Sequence, residues 1–170
     1  MDYRFVRDSG GDGWTHGNIG NVVMLLYRTS MPREGVESSM RLIDRVFQQR
    51  GSVALFAVFE ESAGLLTGVP SANALTTLAR DVGRRAPQFS IGATVLEGTS
   101  FSSMAKRAAV GMVHILLKPP YPHRLCSTVA DACDFIAPVS VGEPGSGPLD
   151  ARTLHEAFAA LRSGVVKEAG

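Results

Sequence analysis

Apolar residues along this chain alternate between strand-like and helix-like spacing, and the switches between the two mark out its elements. Residues 3–7, Tyr-Arg-Phe-Val-Arg, alternate and predict a short edge strand. Gly10-Gly-Asp-Gly13 breaks the chain, and residues 14–20 read as the second half of a hairpin. Asn21-Val-Val-Met-Leu-Leu-Tyr27 is apolar on both faces, as a central strand in a layered α/β domain should be. A helix follows, with Ser30 as its cap and Pro32 near its first turn. Val36, Met40, Ile43 and Phe47 share its apolar face, and Gly51 ends it. Val53-Ala-Leu-Phe-Ala-Val-Phe59 is a second central strand.

Residues 64–70 form a loop, and Ser71 caps a helix whose apolar face is Leu75, Leu78, Ala79 and Val82. Pro87 breaks that helix, and Phe89 to Leu96 is a third strand. A helix over 103–117 is apolar nearly all round in its second half, which predicts deep packing or an interface. Pro119, Pro120 and Pro122 end it. His123-Arg-Leu-Cys-Ser is a short last strand, and Val129, Ala132, Cys133 and Ile136 mark a short helix starting near Thr128. Residues 139–148 have the Gly/Pro composition of a linker. Leu154, Ala157, Phe158 and Leu161 then line a final amphipathic helix, free to fold back on the sheet or to reach a neighbouring subunit. The alternation predicts an α/β fold: a mixed, mostly parallel sheet of four to five strands flanked by helices, with an N-terminal antiparallel hairpin. Residues 1–140 form this domain, and 141–170 carry the linker and the extra helix.

Composition narrows the function. A chain of 170 residues buries enough surface to fold without disulfides or metal. Seventeen basic and 16 acidic residues balance to +1, and the basic pairs Arg84-Arg85 and Lys106-Arg107 are scattered, which argues against a nucleic-acid partner. The N-terminal residues lack the apolar core of a signal peptide, and the apolar runs are too short to span a membrane. Together with two cysteines, Cys126 and Cys133, in no metal or redox spacing, this leads us to expect a cytoplasmic protein.

Candidate chemistry is sparse. No P-loop and no Gly-x-Ser-x-Gly elbow occurs. Gly10-Gly-Asp-Gly13 reads as a turn before an anion nest. His16, His114, His123 and His155 are dispersed, so neither a metal nor another cofactor is expected, and Cys126 reads as a packed thiol. Ser38-Ser39 and Ser102-Ser103 read as helix-surface or cap residues. Glu60-Glu61, at a strand end, could form a carboxylate pair, but adjacent strand residues point to opposite faces, so they read as solvated or ion-paired carboxylates; Glu97, just after a parallel strand, is better placed, where ligands of α/β sheets bind.

Several segments together resemble STAS domains, the fold of anti-sigma-factor antagonists and of the cytoplasmic tails of sulfate transporters. The likeness covers residues 21–138. It is carried by Val53 to Phe59, the helix opening at Ser71, Ile91-Gly-Ala-Thr-Val-Leu-Glu-Gly98, Ala105-Lys-Arg-Ala-Ala109, and the closing stretch from Cys126 to Ile136. The resemblance implies a non-enzymatic regulatory module that binds a protein partner or a second copy of itself. By position, Ser71 matches the phosphoacceptor of the phosphorylatable members, although Val69-Pro-Ser-Ala-Asn73 stands in place of their Asp-Ser-Ser-Gly-like motif. A phosphate there would meet a helix N-terminus; an ordinary cap is the alternative role.

Three readings follow. The first is an interaction module, with Leu66, Val69, Val110, Met112, His114 and Phe158 as interface candidates. The second is a carrier of a small apolar ligand or lipid, suggested by Val110-Gly-Met-Val-His-Ile-Leu-Leu117. The third is an enzyme using Glu97 or the Glu60-Glu61 pair.

Overall fold

The computed structural model describes residues 6–28, 32–60, 80, 83–98, 119–145 and 147–164. Six strands lie in a single sheet in chain order: β1 (Val6–Gly11), β2 (Trp14–Ile19), β3 (Val22–Tyr27), β4 (Val53–Phe59), β5 (Phe89–Leu96) and β6 (His123–Cys126). The β1–β2 and β2–β3 pairs are antiparallel; β3 to β6 are parallel. Among the described residues the α-helices that pack on it are α1 (Arg33–Arg50), α2 (Val129–Ile136) and α3 (Ala151–Ser163). The α/β class and the antiparallel N-terminal edge are as the periodicity predicts, and the strand count is one above the expected range. The additional strand comes from the hairpin. Gly10 and Gly11 read as a break, yet they pair with Thr15 and Trp14, so β1 continues to the Asp12-Gly13 turn.

Strand alternation sorts the core into two layers. Val23, Leu25 and Tyr27 face α1, together with Trp14, Val53 and Phe89. Val22, Met24 and Leu26 face the other way, where they meet Phe56, Val58, Val95 and the buried sides of α2 and α3. β3 and β4 are therefore buried on both faces, which explains why their sequences are unbroken apolar runs.

α1 ends where expected: Gly51 adopts φ 76° and its N–H reaches Phe47 O at 2.8 Å, a left-handed stop that a side chain would strain. Its buried face differs from the expected one. Gly35, Ser38, Ser39, Leu42, Ile43 and Val46 are buried, while Val36, Met40 and Phe47 are half-buried. The N-terminal half of α1 lies on the hairpin, where a Cβ on Gly35 would sit 3.3 Å from the Trp14 ring. Small residues are needed for this approach, so Ser38 and Ser39 belong to the packed face and are not surface residues. Their hydroxyls are satisfied: Ser38 Oγ lies 2.5 Å from Ser9 Oγ, and Ser39 Oγ donates to Val36 O at 2.7 Å.

The segment expected to be a linker is fastened to the sheet. Asn21 Oδ1 accepts from Val141 N–H at 2.7 Å, Asn21 N–H donates to Val141 O at 3.0 Å, and Asn21 Nδ2 donates to Val139 O at 3.3 Å. Gly20 allows this approach, because a Cβ there would lie 1.9 Å from Val141 O and its φ is +54°. Val141 bridges to Pro148, and Leu149 is buried. Asp150 then caps α3 by accepting from Thr153 N–H at 2.7 Å. The whole predicted face of α3 (Leu154, Ala157, Phe158 and Leu161) is buried in the same core cluster as β3, β4 and β5. Among the described residues no helix is long and apolar enough to cross a membrane.

Candidate functional site

The parallel strands end in register, and that register assembles a half-buried charged cluster. Tyr27 pairs with Phe59, and Phe59 with Leu96. The ladder continues one step, with Glu60 N–H donating to Tyr27 O and Glu97 N–H donating to Phe59 O, each at 2.9 Å. Arg28, Glu60 and Glu97 therefore stand side by side at the carboxyl ends of β3, β4 and β5. Tyr27 and Phe59 face α1, so the residues that follow them turn to the opposite face, toward α3.

There α3 supplies the fourth member. Arg162, in its last turn, places Nη2 2.6 Å from Glu97 Oε1 and Nε 3.4 Å from Glu60 Oε1. Arg28 Nε lies 3.7 Å from the same Glu60 oxygen, and its Nη2 donates to the backbone carbonyl of Arg162. Arg7 Nη1 donates to Gly164 O at 3.3 Å, so arginines from two strands bind terminal carbonyls of α3, where the helix dipole favours cations. The Arg162 guanidinium also sits 5.0 Å from the Phe158 ring, and Phe158 packs on Phe56 with centroids 5.1 Å apart. Two carboxylates and two guanidiniums thus balance in charge within a half-buried cluster. Such a cluster can hold a helix in place. For proton transfer it is poorly disposed, since both carboxylates are engaged by cations.

A second buried polar group lies under α1. His16 is fully buried between Trp14 and Tyr27, with ring centroids at 4.6 and 5.4 Å, and neither ring nitrogen has a hydrogen-bond partner. Burial lowers its pKa to about 4, against a smaller opposing pull from Asp8. It is a neutral core imidazole, and its buried place gives it no access to a substrate. Burial likewise pushes the Tyr27 hydroxyl and the Cys133 thiol up to about 12 and raises the Cys126 thiol. Both cysteines are buried, Cys126 as its packed-thiol reading expects.

Of the residues singled out from the sequence, the structure brings Glu60 and Glu97 together. Phe158, named there as an interface candidate, is 2% exposed and fills this chain's own core because α3 folds back on the sheet. His123 lies in β6, its Nε2 3.2 Å from Thr94 Oγ1, and His155 is exposed on α3. Ser71, Leu66, Val69, Val110, Met112, His114 and Glu61 lie outside the described residues. Among the described residues no group of three or more histidine, cysteine or acidic side chains is placed to hold a metal ion. Sequence reasoning missed Arg28 and Arg162. Arg28 was findable, since it directly follows an apolar strand just as Glu60 and Glu97 do. Arg162 was not, since its place depends on how α3 docks. No family model matches the chain, no curated protein matches it, and no solved structure matches its fold.

Proposed function

We propose that this protein is a non-enzymatic interaction module of STAS-like type that associates with itself or with a protein partner. The observation that carries this reading is the Arg28–Glu60–Arg162–Glu97 cluster. Ligand sites of open α/β sheets form beyond the carboxyl ends of the strands. Here that position, between β3, β4, β5 and α3, is taken by the chain's own ion pairs. The two carboxylates an enzyme would need there are matched by two guanidiniums, which favours a structural role for them over acid–base work. The STAS-like part of the reading draws on the succession of parallel strands after an N-terminal hairpin and on the closing strand and helix, β6 and α2. Self-association is the more specific form of the proposal. It draws on the apolar stretch Val110-Gly-Met-Val-His-Ile-Leu-Leu117 in the sequence, since contiguous apolar surface marks contacts.

Light scattering on the purified protein over a wide concentration range tests this reading. A mass above that of one chain, rising with concentration, is the expected result. A strict monomer at every concentration that also pulls down no protein partner would overturn it.

A further inference from the structure

The two halves of α1 are held to the sheet by different means. Leu42, Ile43 and Val46 are buried in the C-terminal half, and the Arg85 fork grips Asp44 there at 2.7 and 2.8 Å. In the N-terminal half the buried residues are Gly35, Ser38 and Ser39, and the cap position, Pro32, makes no side-chain capping bond. Small residues withdraw little apolar surface from water, so this half detaches at lower cost than the rest of the fold.

Beneath that half lies His16. Gly35 approaches Trp14, and His16 follows Trp14 by two residues on the same face of β2. The imidazole is fully buried against Trp14 and Tyr27, and among the described residues neither of its nitrogens has a hydrogen-bond partner. An imidazolium carries two N–H donors and a full charge, and these surroundings supply it with no acceptor.

The groups around the ring do not offset that charge. β1 contributes Asp8, whose carboxylate is already engaged by Arg45 at 2.6 Å and by the Ser9 hydroxyl at 3.1 Å. β3 contributes the Tyr27 hydroxyl, which burial keeps protonated. α1 contributes Arg45, beside Asp8, and the hydroxyls of Ser38 and Ser39, the first bonded to Ser9 Oγ and the second donating to Val36 O. Glu34, Glu37 and Arg41 of the same helix are exposed.

We propose that His16 is an acid-sensitive latch: protonation of its ring releases the N-terminal half of α1 from the β1–β2 hairpin, while the C-terminal half and the parallel strands stay folded. Lifting this half away lets water reach the ring nitrogens, and the imidazolium gains the hydration it lacks inside. A hydrated ring titrates near 6.5 and the buried one near 4, so falling pH favours the open form. The latch does not depend on whether the chain self-associates.

Amide hydrogen exchange of the full chain, read by NMR and corrected for the pH dependence of intrinsic exchange, tests it. Protection at residues 37–40 is expected to fall about 20-fold from pH 7 to pH 5, while residues 53–59 of β4 keep theirs. In His16→Phe the protection at 37–40 should no longer change with pH. If that variant fails to fold, the wild-type comparison of α1 with β4 still decides between local and global opening. Protection at 37–40 that stays constant, that falls together with β4, or that still falls in His16→Phe would overturn the proposal.

Discussion

The two ends of the sheet carry similar residues arranged to opposite effect. At the carboxyl ends of the strands, Arg28, Glu60, Glu97 and Arg162 balance in charge and close on one another, with an apolar helix face drawn down over them. At the amino end, Arg45 pairs with Asp8 and Arg50 with Glu143, as two separate pairs. The first arrangement draws three strand ends and a helix into one cluster, whereas each pair of the second joins α1 to a single neighbour. The difference arises from which element delivers the arginine. Arg162 arrives on a helix anchored by four buried side chains, whereas Arg45 and Arg50 project from the last turns of α1 beside an edge strand.

This contrast can be broken at its anchor. Phe158→Ala removes the ring that fills the space over Phe56 and backs Arg162. We expect a loss of about 3–5 kcal/mol in denaturant-induced unfolding, the range for truncating a buried aromatic ring. A loss near that of a surface substitution would mean that α3 is not part of the core.

The next effect is read through pH and concerns the α1 side of the sheet. His16 has its pKa lowered to about 4 in the folded state from 6.5. Between those values the unfolded chain takes up a proton that the folded chain does not. Stability from this group is complete above pH 6.5 and falls as pH drops toward 4, by about 3 kcal/mol at most. His16→Phe should flatten that slope when unfolding free energy is measured across this window. An unchanged slope would place the acid sensitivity elsewhere.

Smaller effects sharpen the comparison of the two charge clusters. Arg162→Met leaves Glu60 and Glu97 facing each other with Arg28 as their remaining cation in the cluster. Hydrogen bonds to charged groups suggest a cost of about 1–2 kcal/mol after screening of the half-exposed side chains. Urea titration at low and high salt should show the loss shrinking as salt rises. At the amino end, Asp8→Asn breaks a single pair with Arg45, and a loss below about 1 kcal/mol is expected in the same urea titration.

Much of the fold was legible because burial and periodicity coincide in it. β3 and β4 are buried on both sides and read as apolar runs with nearly the bounds observed, and β5 reads with its observed bounds although Ser90 and Thr94 leave one of its faces part-buried. The α3 face reads without error, because each residue of its stripe meets the sheet. α1 reads wrongly for the same physical reason in reverse: its close approach to Trp14 selects glycine and serine, which hydrophobic periodicity does not register. The segment after Val139 has a linker's composition, yet it is held by the side chain and backbone of Asn21 and by the burial of Leu149, and composition does not reveal such local fastenings. Of the candidate site, the two carboxylates were visible from their place after strands. Of their cations, Arg28 follows its strand in the same way, but Arg162 lies far off in sequence and arrives only through the docking of α3.

The most direct test of the closed carboxyl end is a double-mutant cycle on Arg162 and Glu97, using Arg162→Met, Glu97→Gln and the pair, with unfolding free energies measured in urea. A coupling of about 1 kcal/mol or more is predicted for this 2.6 Å contact, because both side chains are partly withdrawn from solvent and shared with Glu60. Coupling within about 0.3 kcal/mol of zero would contradict it, and would return Glu97 to the carboxylates open for chemistry.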